Sequence, residues 1–136
     1  MNETLSRYAF TVHLEEPYEA ARERTEAALK EQGFGVVTEI DMRATLRKKL
    51  DVEFRKYAIL GACNPGFAVK ALSAEPQVGL LLPCNVIVYE DEDGQGSTVS
   101  VVDPLGMLGD IEVAELRAVA DAAHERLAKV AEALAA

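Results

Sequence analysis

The sequence predicts an α+β fold in which a single mixed or antiparallel sheet is clasped by helices. Three observations carry this expectation. Tyr8 to Leu14 alternates with period two, as a half-buried strand does. Helical and strand-like segments then interleave without strict β-α-β repetition, which a parallel sheet would need. Late in the chain, strand-like runs follow one another directly before a long final helix. With 136 residues, 49% hydrophobic and 27% charged, the chain reads as one domain able to bury a core.

In the first strand Tyr8, Phe10, Val12 and Leu14 share one face, while Ala9, Thr11 and His13 share the other. Pro17 suits the first position of a helix, because its missing N–H would have no partner there. From Tyr18 to Gln32 the positions Tyr18, Ala21, Thr25, Ala28 and Leu29 fall on one helical face, and Gly33 stops the helix. Phe34 to Ile40 reads as a second strand, with Asp41 capping a short helix from Met42 to Leu50. Phe54 to Ala62 reads as a third strand running into Cys63, and Asn64-Pro65 is a strong helix start. That helix turns Phe67, Ala68, Ala71 and Leu72 inward and ends near Pro76.

Val78 to Leu82 and Asn85 to Glu90 read as strands separated by Pro83, which marks an edge, a bulge or a strand start. Asp91 to Gly96 is a hairpin turn by composition, and Thr98 to Val102 is the returning strand. Asp103 to Gly109 reads as a glycine-punctuated loop, after which Asp110 caps the last helix. Leu116, Ala120, Ala123, Leu127, Val130 and Leu134 form that helix's stripe, which grips a sheet rather than a coiled-coil partner.

A net charge of −9 argues against nucleic acid, because phosphate binding needs a cationic footprint. The one basic cluster, Arg43, Arg47, Lys48, Lys49, Arg55 and Lys56, reads first as a solvated helix face and second as an anion pocket. The run Val78 to Val88 is too short to cross a bilayer, so no membrane partner is expected. Met1-Asn2-Glu3-Thr4 lacks the features of a signal peptide, and two cysteines in such a chain are expected as thiols. Both point to the cytoplasm. The absence of Trp and the many Glu and Arg residues suggest a heat-loving source.

Four segments, Gly33 to Asp41, Leu60 to Pro65, Leu82 to Val86, and Val102-Asp103-Pro104 with Met107, carry a family resemblance. In that order they resemble the domain-of-unknown-function family numbered 302, over nearly the whole chain. The resemblance implies a sheet clasped by helices, of the TATA-binding-protein or helix-grip type, and commonly a homodimer. It implies no activity and no cofactor. It marks Asp41, Cys63, Asn64, Pro65, Pro83, Cys84 and Asp103 as family-motif positions.

The candidate ligand-binding residues are Cys63, Asn64, Cys84, Asn85, Asp103 and Asp41. Cys63 sits beside a helix N-terminus, which lowers a thiol's pKa, and Cys84 sits at a strand break. If those strand ends are neighbours, the sulfurs could form a reversible disulfide or hold a soft metal such as Cu(I) or Zn(II). Against this stands the tendency of free cysteine to be a small buried hydrophobe. Asn64 reads as a helix cap, or with the Gly66 N–H as a donor to a small anion. Asp41 reads as a cap before a paired carboxylate with Glu39, and Asp103 as a turn former at a strand end. His13 and His124 have no sequence-local carboxylate or thiol, so neither enters a triad, and His124 is expected in solvent. The leading expectation is a non-enzymatic, homodimeric domain binding a small ligand or soft metal ion. The alternatives are a thiol enzyme or redox sensor using Cys63 and Cys84, and a purely structural dimer module.

Overall fold

The computed structural model describes residues 8–108 and 110–136. The Met1–Thr4 segment and Gly109 of the expected loop lie outside these residues. Eleven elements follow in order. They are β1 (Ala9–Leu14), α1 (Tyr18–Glu31), β2 (Gly35–Asp41), α2 (Met42–Leu50), β3 (Tyr57–Cys63), α3 (Pro65–Ala74), a 3-10 helix (Pro76–Leu81), β4 (Cys84–Glu90), β5 (Ser97–Val102), α4 (Pro104–Leu108) and α5 (Ala114–Ala135). The strands form one sheet in the order β1-β5-β4-β3-β2, with every neighbouring pair antiparallel. The α+β class expected from the sequence is therefore present, with an antiparallel rather than mixed sheet.

The two edge strands are the first two in the chain, and α1 connects them across one face of the sheet. Its stripe of Ala21, Thr25 and Leu29 is buried, and the Thr25 hydroxyl is satisfied by donating to the Ala21 carbonyl at 2.7 Å. The helix ends where expected: Gly33 takes φ 83°, while Phe34 N–H donates to the Leu29 carbonyl at 2.9 Å. On the same face α5 lays down Ala123, Leu127, Val130 and Leu134. These meet Ala58, Leu60 and Ala62 of β3, Val86 and Val88 of β4, and Val99 and Val101 of β5. Period two in the strands meets a three-four spacing in the helices. A second cluster, with Ala71, Val78, Leu108, Leu116 and Val119, extends this core under α3 and α4.

Four local expectations are corrected. Val78 to Leu82 is not a strand but lies largely within the 3-10 helix. Pro76 starts that turn, and Glu75 caps it by accepting from Gln77 N–H at 2.8 Å. Val78 is buried whereas Leu80 is 83% exposed, which a one-sided strand would not allow. The sheet thus has five strands, not six, and Pro83 stands immediately before β4. The expected loop after Asp103 contains the short helix α4. Finally, Asp110 does not cap the last helix, which begins at Ala114 with Val113 as its N-cap and no side-chain cap bond. Ile111 and Val113 pack against the second core cluster and hold that stretch out of the helix.

Candidate functional site

An apolar pocket lies at the end of the sheet where β3 finishes and β4 begins. Cys63 is the last residue of β3, and Cys84, the first of β4, stands opposite Ala62 in the register. The thiols are therefore on neighbouring strands, one position apart, and both line a cavity of about 290 Å³. Both are free thiols. The remaining wall comes from Phe34, from Phe67 and Ala71 of α3, from Leu82 and Pro83, from Pro104 and Leu108, and from Ala120 and Ala123 of α5. Burial, and secondarily the neighbouring Cys63, pushes the Cys84 thiol up to about 11. Cys84 therefore stays a protonated, apolar wall residue at neutral pH.

Asn64 also lines the pocket, and its side chain has the capping role: Oδ1 accepts from Phe67 N–H at 3.1 Å. A Cβ at Gly33 would come within 3.0 Å of Asn64 Nδ2 and 3.2 Å of Arg126 Nη1. The end of α1, the start of α3 and the middle of α5 thus meet at this corner. Arg126 donates to the Gln32 carbonyl at 3.2 Å and lies 5.5 Å from the Phe67 ring, which tilts against Phe34. On the sheet side a Cβ at Gly61 would fall 2.1 Å from Thr38 Oγ1 and 2.6 Å from Pro83 Cγ. Only glycine lets β2 and Pro83 approach β3 this closely. The irregularity at Val37 in the β2–β3 register sits beside it, and Val37 also lines the pocket.

Asp103 is adjacent to this pocket through Pro104. Its carboxylate accepts from Leu105 N–H at 3.0 Å, as a turn-forming aspartate does, and also bonds His124 Nδ1 at 2.8 Å. His124 is half-buried and packs on Phe10 with ring centroids 5.3 Å apart. The expectation that His124 is simply solvated is thereby corrected. Its position, four after Ala120 and three before Leu127, puts it on the flank of the buried stripe. That spacing was the available signal. His13 likewise has a carboxylate remote in sequence, Asp91, at 2.9 Å.

The other candidates lie elsewhere. Asp41 pairs with Ala58 at the opposite end of the sheet and caps α2 by accepting from Ala44 N–H at 2.9 Å. Its proposed companion Glu39 is bound by Arg22 at 2.8 Å, which holds the Glu39 carboxyl below its ordinary range. Asn85 is exposed on the reverse face of the sheet from Cys84, as strand alternation requires. In the basic cluster, Arg47 pairs with Asp51 and Glu53, Arg55 with Glu92, and Lys56 with Glu19. Arg43, Arg47, Lys48 and Lys49 are exposed, as the solvated helix face requires. Among the described residues no group of three or more His, Cys, Asp or Glu is arranged to hold a metal ion.

The family described as "Domain of unknown function DUF302" matches residues 10–134. The chain belongs to DUF302. A solved DUF302 structure, described as an uncharacterized conserved protein from Bacillus stearothermophilus, is 27% identical with a TM-score of 0.82. The alignment covers 93% of this chain and 98% of that one. No curated protein matches the chain. DUF302 membership thus confirms the resemblance and the α+β architecture without naming an activity. No helix among the described residues is long and apolar enough to cross a membrane.

Proposed function

We propose that this DUF302 chain is a non-enzymatic binding domain that takes a small, mainly apolar ligand into the pocket bordered by Cys63 and Cys84. The observation that carries this reading is the lining: apart from the two thiols, Thr38 and Asn64, it is hydrocarbon. Its volume of about 290 Å³ is near the lower end for small-molecule sites. An anion would find no lysine or arginine in that wall, and a metal ion would find two sulfurs, one of them firmly protonated. A soft metal ion is therefore a weaker, competing reading. The redox alternative gains from both thiols sharing one pocket and loses from the raised Cys84 pKa. Two free thiols in one pocket also support a reducing, cytoplasmic setting. The composition, with its abundant Glu and Arg, supports a heat-loving source.

Thermal melting against panels of small apolar compounds, soft metal salts and small anions tests the proposal. An apolar compound at 100 times its dissociation constant should add about 2.7 kcal/mol, or roughly 10 °C in melting temperature. Ala68→Leu, which fills the pocket from α3, should abolish that shift. A shift with metals or anions alone, or an apolar shift that survives Ala68→Leu, sinks the proposal.

A further inference from the structure

The pocket beside the cysteines has a direction. Its inner wall, with Phe34, Ala62, Ala71, Leu108, Ala120 and Ala123, is buried. Its outer wall opens to solvent between the edge strand β2 and α3, where Val37 is 62% exposed and Leu72 42%. Further exposed hydrocarbon stands beside that opening. Val69 lies one turn before Leu72 on α3. Leu80 follows Gly79, whose Cβ, were there one, would lie 3.8 Å from Leu72 Cδ2. No Asp, Glu, Lys, Arg or His among the described residues lines the pocket.

With the pocket taken as the ligand site proposed above, we infer that its occupant is a straight hydrocarbon chain carrying a polar head. The chain lies inside, and the head stays at the opening between Val37 and Leu72. The walls favour a chain over a ring system. Farther along the same sheet, Val86 and Val88 meet Leu127 and Val130, and side chains of that size fill the layer. At the pocket the sheet offers Ala62, and the helices offer Ala68, Ala71, Ala120 and Ala123. Alanine on both sides leaves a slot about one aliphatic side chain thick. A linear chain replaces the hydrocarbon that longer side chains would have supplied. The two rings in the wall, Phe34 and Phe67, are inclined at 57° and present no parallel faces for a flat ring to enter.

Desolvation decides which end enters. A polar head drawn inside would lose its water and find few partners. Asn64 Oδ1 already accepts from Phe67 N–H at 3.1 Å, and the Cys84 thiol keeps its proton at neutral pH. At the opening the head keeps its hydration beside the exposed Thr38. Val37 and Leu72 then cover the methylenes nearest the head. That gives a use to large aliphatic side chains standing in solvent, one of them on an edge strand, where charged residues are the usual choice.

Titration calorimetry on the full chain tests it, with straight-chain carboxylates and alcohols of increasing length kept below micelle formation. Affinity should rise roughly fourfold for each added methylene that finds buried wall, and level off once the pocket is full. Carboxylates built on adamantane or naphthalene should bind at least tenfold more weakly than the straight chain of equal carbon number. Ala123→Val, at the inner end, should move the levelling-off to a shorter chain. If that variant does not fold, Val37→Glu at the exposed rim decides: it should weaken each carboxylate more than the alcohol of the same length, because the head lies beside the added charge. Affinity independent of length, compact carboxylates that match the straight chain, or a Val37→Glu protein that treats acid and alcohol alike overturns the chain-shaped ligand and leaves the apolar pocket standing. Failure of chains and rings alike to bind removes the pocket reading as well.

Discussion

The protonated state of Cys84 is the sharpest chemical consequence of the pocket. Its thiol is raised from an ordinary 9.0 to about 11, chiefly by burial and then by the neighbouring Cys63. At pH 7.5 a two-unit shift reduces the thiolate fraction about 100-fold, and alkylation proceeds through the thiolate. In a Cys63→Ala background, which removes the smaller cause but not the larger, Cys84 should react far more slowly than a free thiol. The rate should climb toward a midpoint well above 9. Stability must follow the same shift. The folded state holds the proton more tightly than the unfolded one, so stability is undiminished below the unfolded pKa and falls as pH rises toward the folded value. Between about pH 9 and 11 the wild type should lose on the order of 2–3 kcal/mol relative to Cys84→Ala. Tyrosines and lysines that titrate in this range cancel in the difference. Urea melts of both proteins across that window measure it. An alkylation midpoint at or below about 8.5, or parallel alkaline limbs for the two proteins, would refute the claim that burial governs this thiol.

Four other expectations follow, three of them from the same corner. Gly61→Ala should destabilise by about 1–3 kcal/mol through overpacking against Thr38 and Pro83, and Thr38→Ala should recover part of that loss in denaturant melts. A double-mutant cycle of Asp103→Ala and His124→Ala should show coupling on the order of 1 kcal/mol at neutral pH, whereas zero coupling would reduce their 2.8 Å approach to proximity. Asn64→Ala should cost about 0.5–2 kcal/mol as a lost cap, while Arg47→Ala should change stability by less than about 1 kcal/mol.

What the sequence revealed follows from the range over which each interaction acts. The stripe from Leu116 to Leu134 and the alternation of Phe10, Val12 and Leu14 are local periodicities, and both survive in the structure, whereas Tyr8 precedes β1 and lines the reverse face with Ala9 and Thr11. Gly33, Asp41 and Asn64 were legible as stop and caps because their partners lie within a few residues. Val78 to Leu82 was misleading because an apolar run alone does not separate a strand from a tight helix, and the Glu75-Pro76 start decided it. The His124–Asp103 pair was invisible because it joins the end of β5 to α5 across a tertiary fold. Asn85 was grouped with Cys84 by adjacency, yet adjacency in a strand separates side chains onto opposite faces. Of the six candidates, the fold gathers Cys63, Asn64 and Cys84 around one pocket and sets Asp103 beside it. Asp41 it places at the far end of the sheet.

The pocket is a partly open cleft of about 290 Å³ with a mostly hydrocarbon wall. Small residues wall it, among them Ala62, Ala71, Ala120 and Ala123, and alanine surfaces readily close together. They are held apart by larger parts: the Phe34–Phe67 pair, the Arg126 guanidinium over Phe67, and the Pro83–Thr38 contact across Gly61. Water in the cleft finds few polar partners, since the wall is mostly hydrocarbon. Rigid aromatic and proline side chains thus keep this apolar cleft from collapsing, and it is this space that the proposed apolar ligand would fill.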